Sequence, residues 1–113
     1  MNEKDTCDKE LLELAAKAAG FTLEEHYDDD QYYPWCAETE AFWNPLLDDG
    51  DALRLAVKLG LFIRTDGPYL LAVTPRYVNN KLYELYEPRG EDPYASTRRT
   101  IVRAAAEIGK EMK

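Results

Sequence analysis

Between Trp43 and Ile63 the chain spells out a loop, a helix with both ends marked, and the start of a strand. Asn44-Pro45 holds the backbone extended, because the residue before a proline is pushed out of the α region. Asp48 or Asp49 is placed to cap a helix, its short carboxylate accepting from the first free backbone N–H groups. The remaining acids, Asp51 included, then sit at the positive end of the helix dipole. Ala52, Leu55, Ala56 and Leu59 repeat at the spacing of one buried helical face, Leu53 and Val57 widen it, and Arg54 and Lys58 mark the wet side. Gly60 is the left-handed stop. Leu61-Phe62-Ile63 is apolar and too short for a helix, so it reads as a strand buried on both faces.

The rest of the chain is organised around this segment. A first helix is predicted over Thr6–Ala19, with Thr6 as cap, Gly20 as stop, and a face of Leu11, Leu14, Ala15 and Ala18 flanked by Leu12 and Ala16. So small a face predicts close packing onto another element. Residues 21–42 alternate aromatic islands with acids and read as a long loop or an irregular hairpin, a length that often carries function. Asp66-Gly67-Pro68 is a turn. Tyr69–Val73 is a strand apolar on both parities, and Pro75 ends it or puts it at an edge. Asn79-Asn80 suits a two-residue hairpin turn, with Leu82–Glu87 returning. Asp92-Pro93 opens a third helix whose buried stripe is Tyr94, Thr97, Ile101, Ala104, Ala105 and Ile108. Three helices and a meander of about three two-sided strands predict an α+β fold, an α–β–α sandwich in one domain over residues 1–113.

Charge is unevenly spread. Residues 1–51 hold fifteen acids against three bases, and residues 52–113 hold seven against eleven, for a net −8. An acidic field disfavours direct contact with nucleic-acid phosphates and favours a basic protein partner, or simply solubility with internal pairing of charge. No apolar run approaches a membrane span. Met1–Asp5 has neither a basic nor an apolar stretch of the secretory kind, so a cytoplasmic protein with free thiols at Cys7 and Cys36 is expected.

No catalytic motif stands out. The chain has one histidine, His26, and one serine, Ser96, which argues against a hydrolytic triad. His26 and Cys36 with Asp28 or Asp30 match no standard zinc spacing. Asp48-Asp49-Gly50-Asp51 lacks the alternating acids and distal glutamate of a calcium loop. No glycine loop of the phosphate-cradling type is present. The expectation is a non-catalytic chain without a cofactor or metal.

Two regions are candidates for binding. The acids Glu24, Glu25, Asp28, Asp29 and Asp30 with the rings of Tyr32, Tyr33 and Trp35 form either a recognition surface or a solvated loop clamped by a satellite core, with Trp43 inside and Tyr32 or Tyr33 outside. Arg98, Arg99 and Arg103 on the third helix either pair with acids of the N-terminal half, within the chain or across a homodimer, or form an anion site for a small molecule or nucleotide.

Three pieces of the chain resemble the phage "ABA sandwich domain" family: the Leu11–Gly20 helix, Trp43-Asn44-Pro45 with the capped Ala52–Gly60 helix, and the closing run Arg98–Glu107. The resemblance implies a small phage or prophage protein of αβα architecture with no established general activity, working in the bacterial host cell. It supplies no catalytic residue and does not extend to residues 21–42. Taken with the acidic surface, it implies an accessory protein that binds a host protein with a basic surface, such as a defence or nucleic-acid enzyme, and interferes with it.

Overall fold

The structure, a computed structural model, describes residues 8–75 and 80–112. Helix α1 spans Asp8–Ala19, so the expected cap Thr6, with Cys7, lies outside the described residues. Five two-residue strands follow: β1 (Leu23–Glu24), β2 (Tyr27–Asp28), β3 (Gln31–Tyr32), β4 (Trp35–Cys36) and β5 (Ala41–Phe42). Then come α2 (Asp49–Leu59), β6 (Phe62–Arg64), β7 (Tyr69–Val73), β8 (Glu84–Pro88) and α3 (Pro93–Glu111).

Helix α2 obeys the local rules closely. Asp48, rather than Asp49, is the cap, accepting from the Asp51 backbone N–H at 2.8 Å. Asp51 does more than meet the dipole. Its carboxylate accepts from the Asn44 N–H at 2.9 Å and from Arg54 at 2.8 Å, which ties the Trp43-Asn44-Pro45 corner to the helix. Gly60 closes the helix at φ 69, and Leu61 N–H returns to the Ala56 carbonyl at 3.0 Å. Replacing Asp48 with alanine removes the acceptor for an end-of-helix N–H and is expected to lower stability by about 1 kcal/mol, read as an earlier urea midpoint.

The small-residue face of α1 packs along α3, the most extensive helix pair in the molecule. Ala15, Ala16 and Ala19 on α1 and Val102, Ala105 and Ile108 on α3 are buried there. The backbones come so close that a Cβ on Gly109 would overlap the Leu14 carbonyl oxygen. Lys17 crosses the same interface and donates to the Met112 carbonyl at 2.9 Å.

The fold is α+β, but the expected α–β–α sandwich is not what forms. Strands β6, β7 and β8 make one antiparallel sheet, β1–β4–β5 a second and β2–β3 a third. In the β6–β8 sheet, Ile63, Leu70, Ala72 and Leu85 face α3, and Leu70 and Ala72 are fully buried. The other face, with Phe62, Tyr69 and Tyr86 at least half exposed, carries none of the described helices. Helix α1 lies against α3 and α2 instead of crossing to that face, which is why Phe62 is 58% exposed where two-sided burial was expected. Leu53, Val57 and Tyr94, expected in buried stripes, are also exposed, at 65%, 73% and 70%. The Thr74–Tyr83 hydrogen bonds continue the β7–β8 ladder, with Tyr83 N–H donating to the Thr74 hydroxyl at 2.9 Å. Of the expected Asn79-Asn80 turn, Asn79 lies outside the described residues and Asn80 has φ 54.

Residues 21–42, expected as a loop or irregular hairpin, form a small meander. Leu23 faces Cys36, Glu24 faces Trp35, Tyr27 faces Tyr32 and Asp28 faces Gln31. These pairs share one register, and Tyr33 N–H to the His26 carbonyl at 2.7 Å bridges the two ladders. They are two parts of a single hairpin, with Pro34 opposite Glu25 between the two ladders and its carbonyl turned to the other side, where it accepts from the Trp43 backbone N–H. The tip is the two-residue turn Asp29-Asp30, with φ 48 and 67, the positive values of a type I′ turn. Strand β5 adds to β4 through Trp35–Phe42 and Cys36–Ala41.

Candidate recognition surface

Because directly paired residues share a face, the meander's register sorts its side chains into two sets. Leu23, Glu25, Tyr27, Tyr32, Pro34 and Cys36 lie on the face toward α1. Lys9 of α1 organises that side: its ammonium is 2.7 Å from the Glu25 carboxylate, 3.4 Å from the Tyr27 hydroxyl and 5.6 Å above the Tyr32 ring. The bond to Glu25, then that to Tyr27, raises the Lys9 pKa, and the same Lys9 bond lowers that of Glu25. Burial, followed by the field of Glu13, pushes the Tyr32 hydroxyl upward.

The opposite face carries Glu24, His26, Tyr33, Trp35 and Phe42. Three rings cluster around Phe42, which is 57% exposed. Trp35 stands edge-on at 5.1 Å and 87°, His26 at 5.8 Å and 89°, and Tyr33 at 6.4 Å and 73°. Edge-to-face packing holds the rings in place while leaving their outer surfaces free. Glu24 and the tip acids Asp28, Asp29 and Asp30 border the cluster, and among the described residues none of these four makes a side-chain hydrogen bond or ion pair.

Of the residues expected to recognise a partner, Glu24, Asp28, Asp29, Asp30, Tyr33 and Trp35 therefore lie on the outer face or at the tip. Glu25 and Tyr32 face α1. Phe42 and His26, both within the acidic and aromatic stretch 24–43 expected to form the recognition surface, also belong to this face. Strict alternation outward from an Asp29-Asp30 turn places His26 beside Tyr33, and that was the available signal for its face.

The base of the meander is anchored. Glu38 accepts from the Thr22 N–H at 2.7 Å and its hydroxyl at 2.9 Å, and these bonds, the backbone one first, lower its pKa. Trp43 is buried, stands edge-on to Phe21 at 5.7 Å, and donates its backbone N–H to the Pro34 carbonyl at 2.9 Å. Cys36 is buried on the inner side and His26 lies on the outer, so the two cannot share a metal or form a nucleophilic pair. Among the described residues, no group of three or more His, Cys, Asp or Glu side chains is placed to hold a metal ion. Nor is any helix among them long and apolar enough to cross a membrane.

The three arginines of α3 are held by carboxylates. Arg98 donates to the Leu46 carbonyl at 2.8 Å and to Asp49 at 2.7 Å, and Arg99 to Asp8 at 3.1 Å. Arg103 donates to the Tyr86 carbonyl at 2.9 Å and to Glu87. Pairing with acids of the N-terminal half holds for the first two, while Arg103 finds its partner on β8. A cleft of about 580 Å³ opens where α2, α3 and the inner face of β6–β7 meet, on the flank of α2 turned away from the meander. No protein-family model matches the chain, and neither a curated protein nor a solved structure does so.

Proposed function

We propose that the chain is a non-catalytic binding protein that docks the outer face of its meander on a basic protein surface. One observation carries this reading: four mutually packed, solvent-facing rings stand beside four carboxylates that the described protein leaves unpaired. Aromatic side chains supply large contact area at low entropy cost and dominate interface hot spots. A border of unpaired acids adds attraction to a cationic partner and repels nucleic-acid phosphates. A groove that normally holds DNA or RNA has the matching chemistry. The resemblance to phage proteins, which rests on the three quoted pieces of sequence alone, supplies the setting: a phage or prophage accessory protein acting on a host enzyme.

The test compares the wild-type protein with the D28K/D29K/D30K variant in capture from bacterial lysate, eluting with duplex DNA. A partner that DNA displaces, and that the variant binds at least about tenfold more weakly with a flatter salt dependence, is the expected result. Equal capture by the triple variant overturns the reading. Phe42→Ala is expected to weaken the same partner by a similar factor.

The alternative of a nucleotide-binding domain with its anion site at Arg98, Arg99 and Arg103 has less support, since each guanidinium already holds a carboxylate.

A further inference from the structure

The cleft between α2, α3 and the sheet differs in character from the meander surface. Its walls are mostly apolar, with Ala52, Leu53 and Ala56 from α2, Ile63 and Leu70 from the sheet, and Ile101 from α3. Leu53 and Tyr94, two of the residues that helical periodicity places in the core, line it and are well exposed. The helices stand apart there, so apolar side chains meant for burial have no protein cover. A volume of about 580 Å³ falls within the usual range of small-molecule sites.

Charge at the rim narrows the occupant. Arg98 is neutralised by Asp49. Arg89, also in the lining, has no direct carboxylate partner among the described residues and shares the field of Asp66 with Arg64, which holds that carboxylate. The Arg89 Nη1 donates to the Thr65 and Gly67 carbonyls at 2.6 and 3.1 Å, and among the described residues no carboxylate lies within ion-pairing distance of it. Arg54, Arg64, Arg98, Arg99 and Arg103 all have such a partner. A guanidinium without a direct carboxylate partner, beside an apolar trough, complements a molecule with an apolar body and one carboxylate.

We propose that this cleft binds an apolar monocarboxylic acid, its hydrocarbon chain against Leu53, Ile63 and Tyr94 and its carboxylate on Arg89. The site is independent of the meander surface, so the two readings stand or fall separately. Octanoate is the probe and octan-1-ol its uncharged counterpart, titrated while following the NMR signals of Leu53, Ile63 and Tyr94. Octanoate is expected to bind with a Kd of roughly a millimolar or tighter, and about fivefold more tightly than the alcohol. In Arg89→Met the acid falls to the affinity of the alcohol while the alcohol is unchanged, which separates a lost ion pair from a disturbed loop. Leu53→Asn weakens both ligands. Absence of shifts at these residues with octanoate overturns the proposal, and so does an acid preference that survives Arg89→Met. A concentration-dependent dimer that buries Leu53 and Tyr94 also overturns it, by assigning the cleft to a second copy of the chain.

Discussion

The Gly109→Ala variant is expected to lose about 3 kcal/mol of stability, although alanine is the better helix former by about 1 kcal/mol. The sign inverts because of where the methyl goes. A Cβ at this position would lie 2.8 Å from the Leu14 carbonyl carbon and closer still to its oxygen. Backbone cannot rotate out of the way as a side chain can, so α1 and α3 must separate. That movement loosens Ala15, Ala16, Ala105 and Ile108 together, since all pack in the same buried cluster. For a chain of this size the loss lowers Tm by roughly 12 °C or more. Lys110→Ala, one position on and exposed, serves as the control, with a change within about 0.5 kcal/mol. A Gly109→Ala protein that melts with or above the wild type would show that the helices do not approach this closely.

Trp43→Ala is the second large effect, at about 3–5 kcal/mol. Trp43 sits in the main core cluster with Phe21 packed against it, and its backbone N–H, which alanine keeps, holds Pro34. Removing the indole leaves a hole between the meander and the helices, so the damage reaches beyond stability. The outer rings of Tyr33, Trp35 and Phe42 ride on the strands that Trp43 anchors. Limited proteolysis is therefore expected to cut within residues 22–42 of the variant well before it cuts the helices. Trp43→Phe, which keeps a ring in the site, is expected to recover more than half of the loss. A loss below 1 kcal/mol for Trp43→Ala would mean that the meander is held by other contacts.

What could be read in advance follows the range of the forces involved. Both ends of α2 and the start of α3 were legible because a cap or a left-handed stop needs only four or five neighbouring residues. Asp48, Gly60 and Asp92 supply all of the chemistry within one turn. The depth of each buried stripe was not legible. Periodicity fixes the centre of an apolar face, whereas its width depends on which elements come to lie on it. Leu53 and Tyr94 fell outside because α2 and α3 splay apart beside the sheet, and Phe62 because none of the described helices crosses the sheet's far side. The meander was hidden for another reason. Its turn uses Asp29-Asp30 at positive φ without a glycine, its middle holds Pro34, and each ladder has only two pairs. The candidate surface was half legible: acids and rings were visible as residue types, but which of them share a face depends on the register.

That shared register also governs how this chain can change over descent. Adding or deleting one residue between Leu23 and Asp28, or between Gln31 and Cys36, exchanges the two faces, sending Trp35 and Tyr33 toward α1 and Pro34 and Cys36 into water. Length variation is thus tolerable at the Asp29-Asp30 tip and at the 37–40 bend, but not within the strands. Related chains that keep this surface should vary in the reach of the acidic tip while holding the spacing from Tyr33 to Cys36 constant.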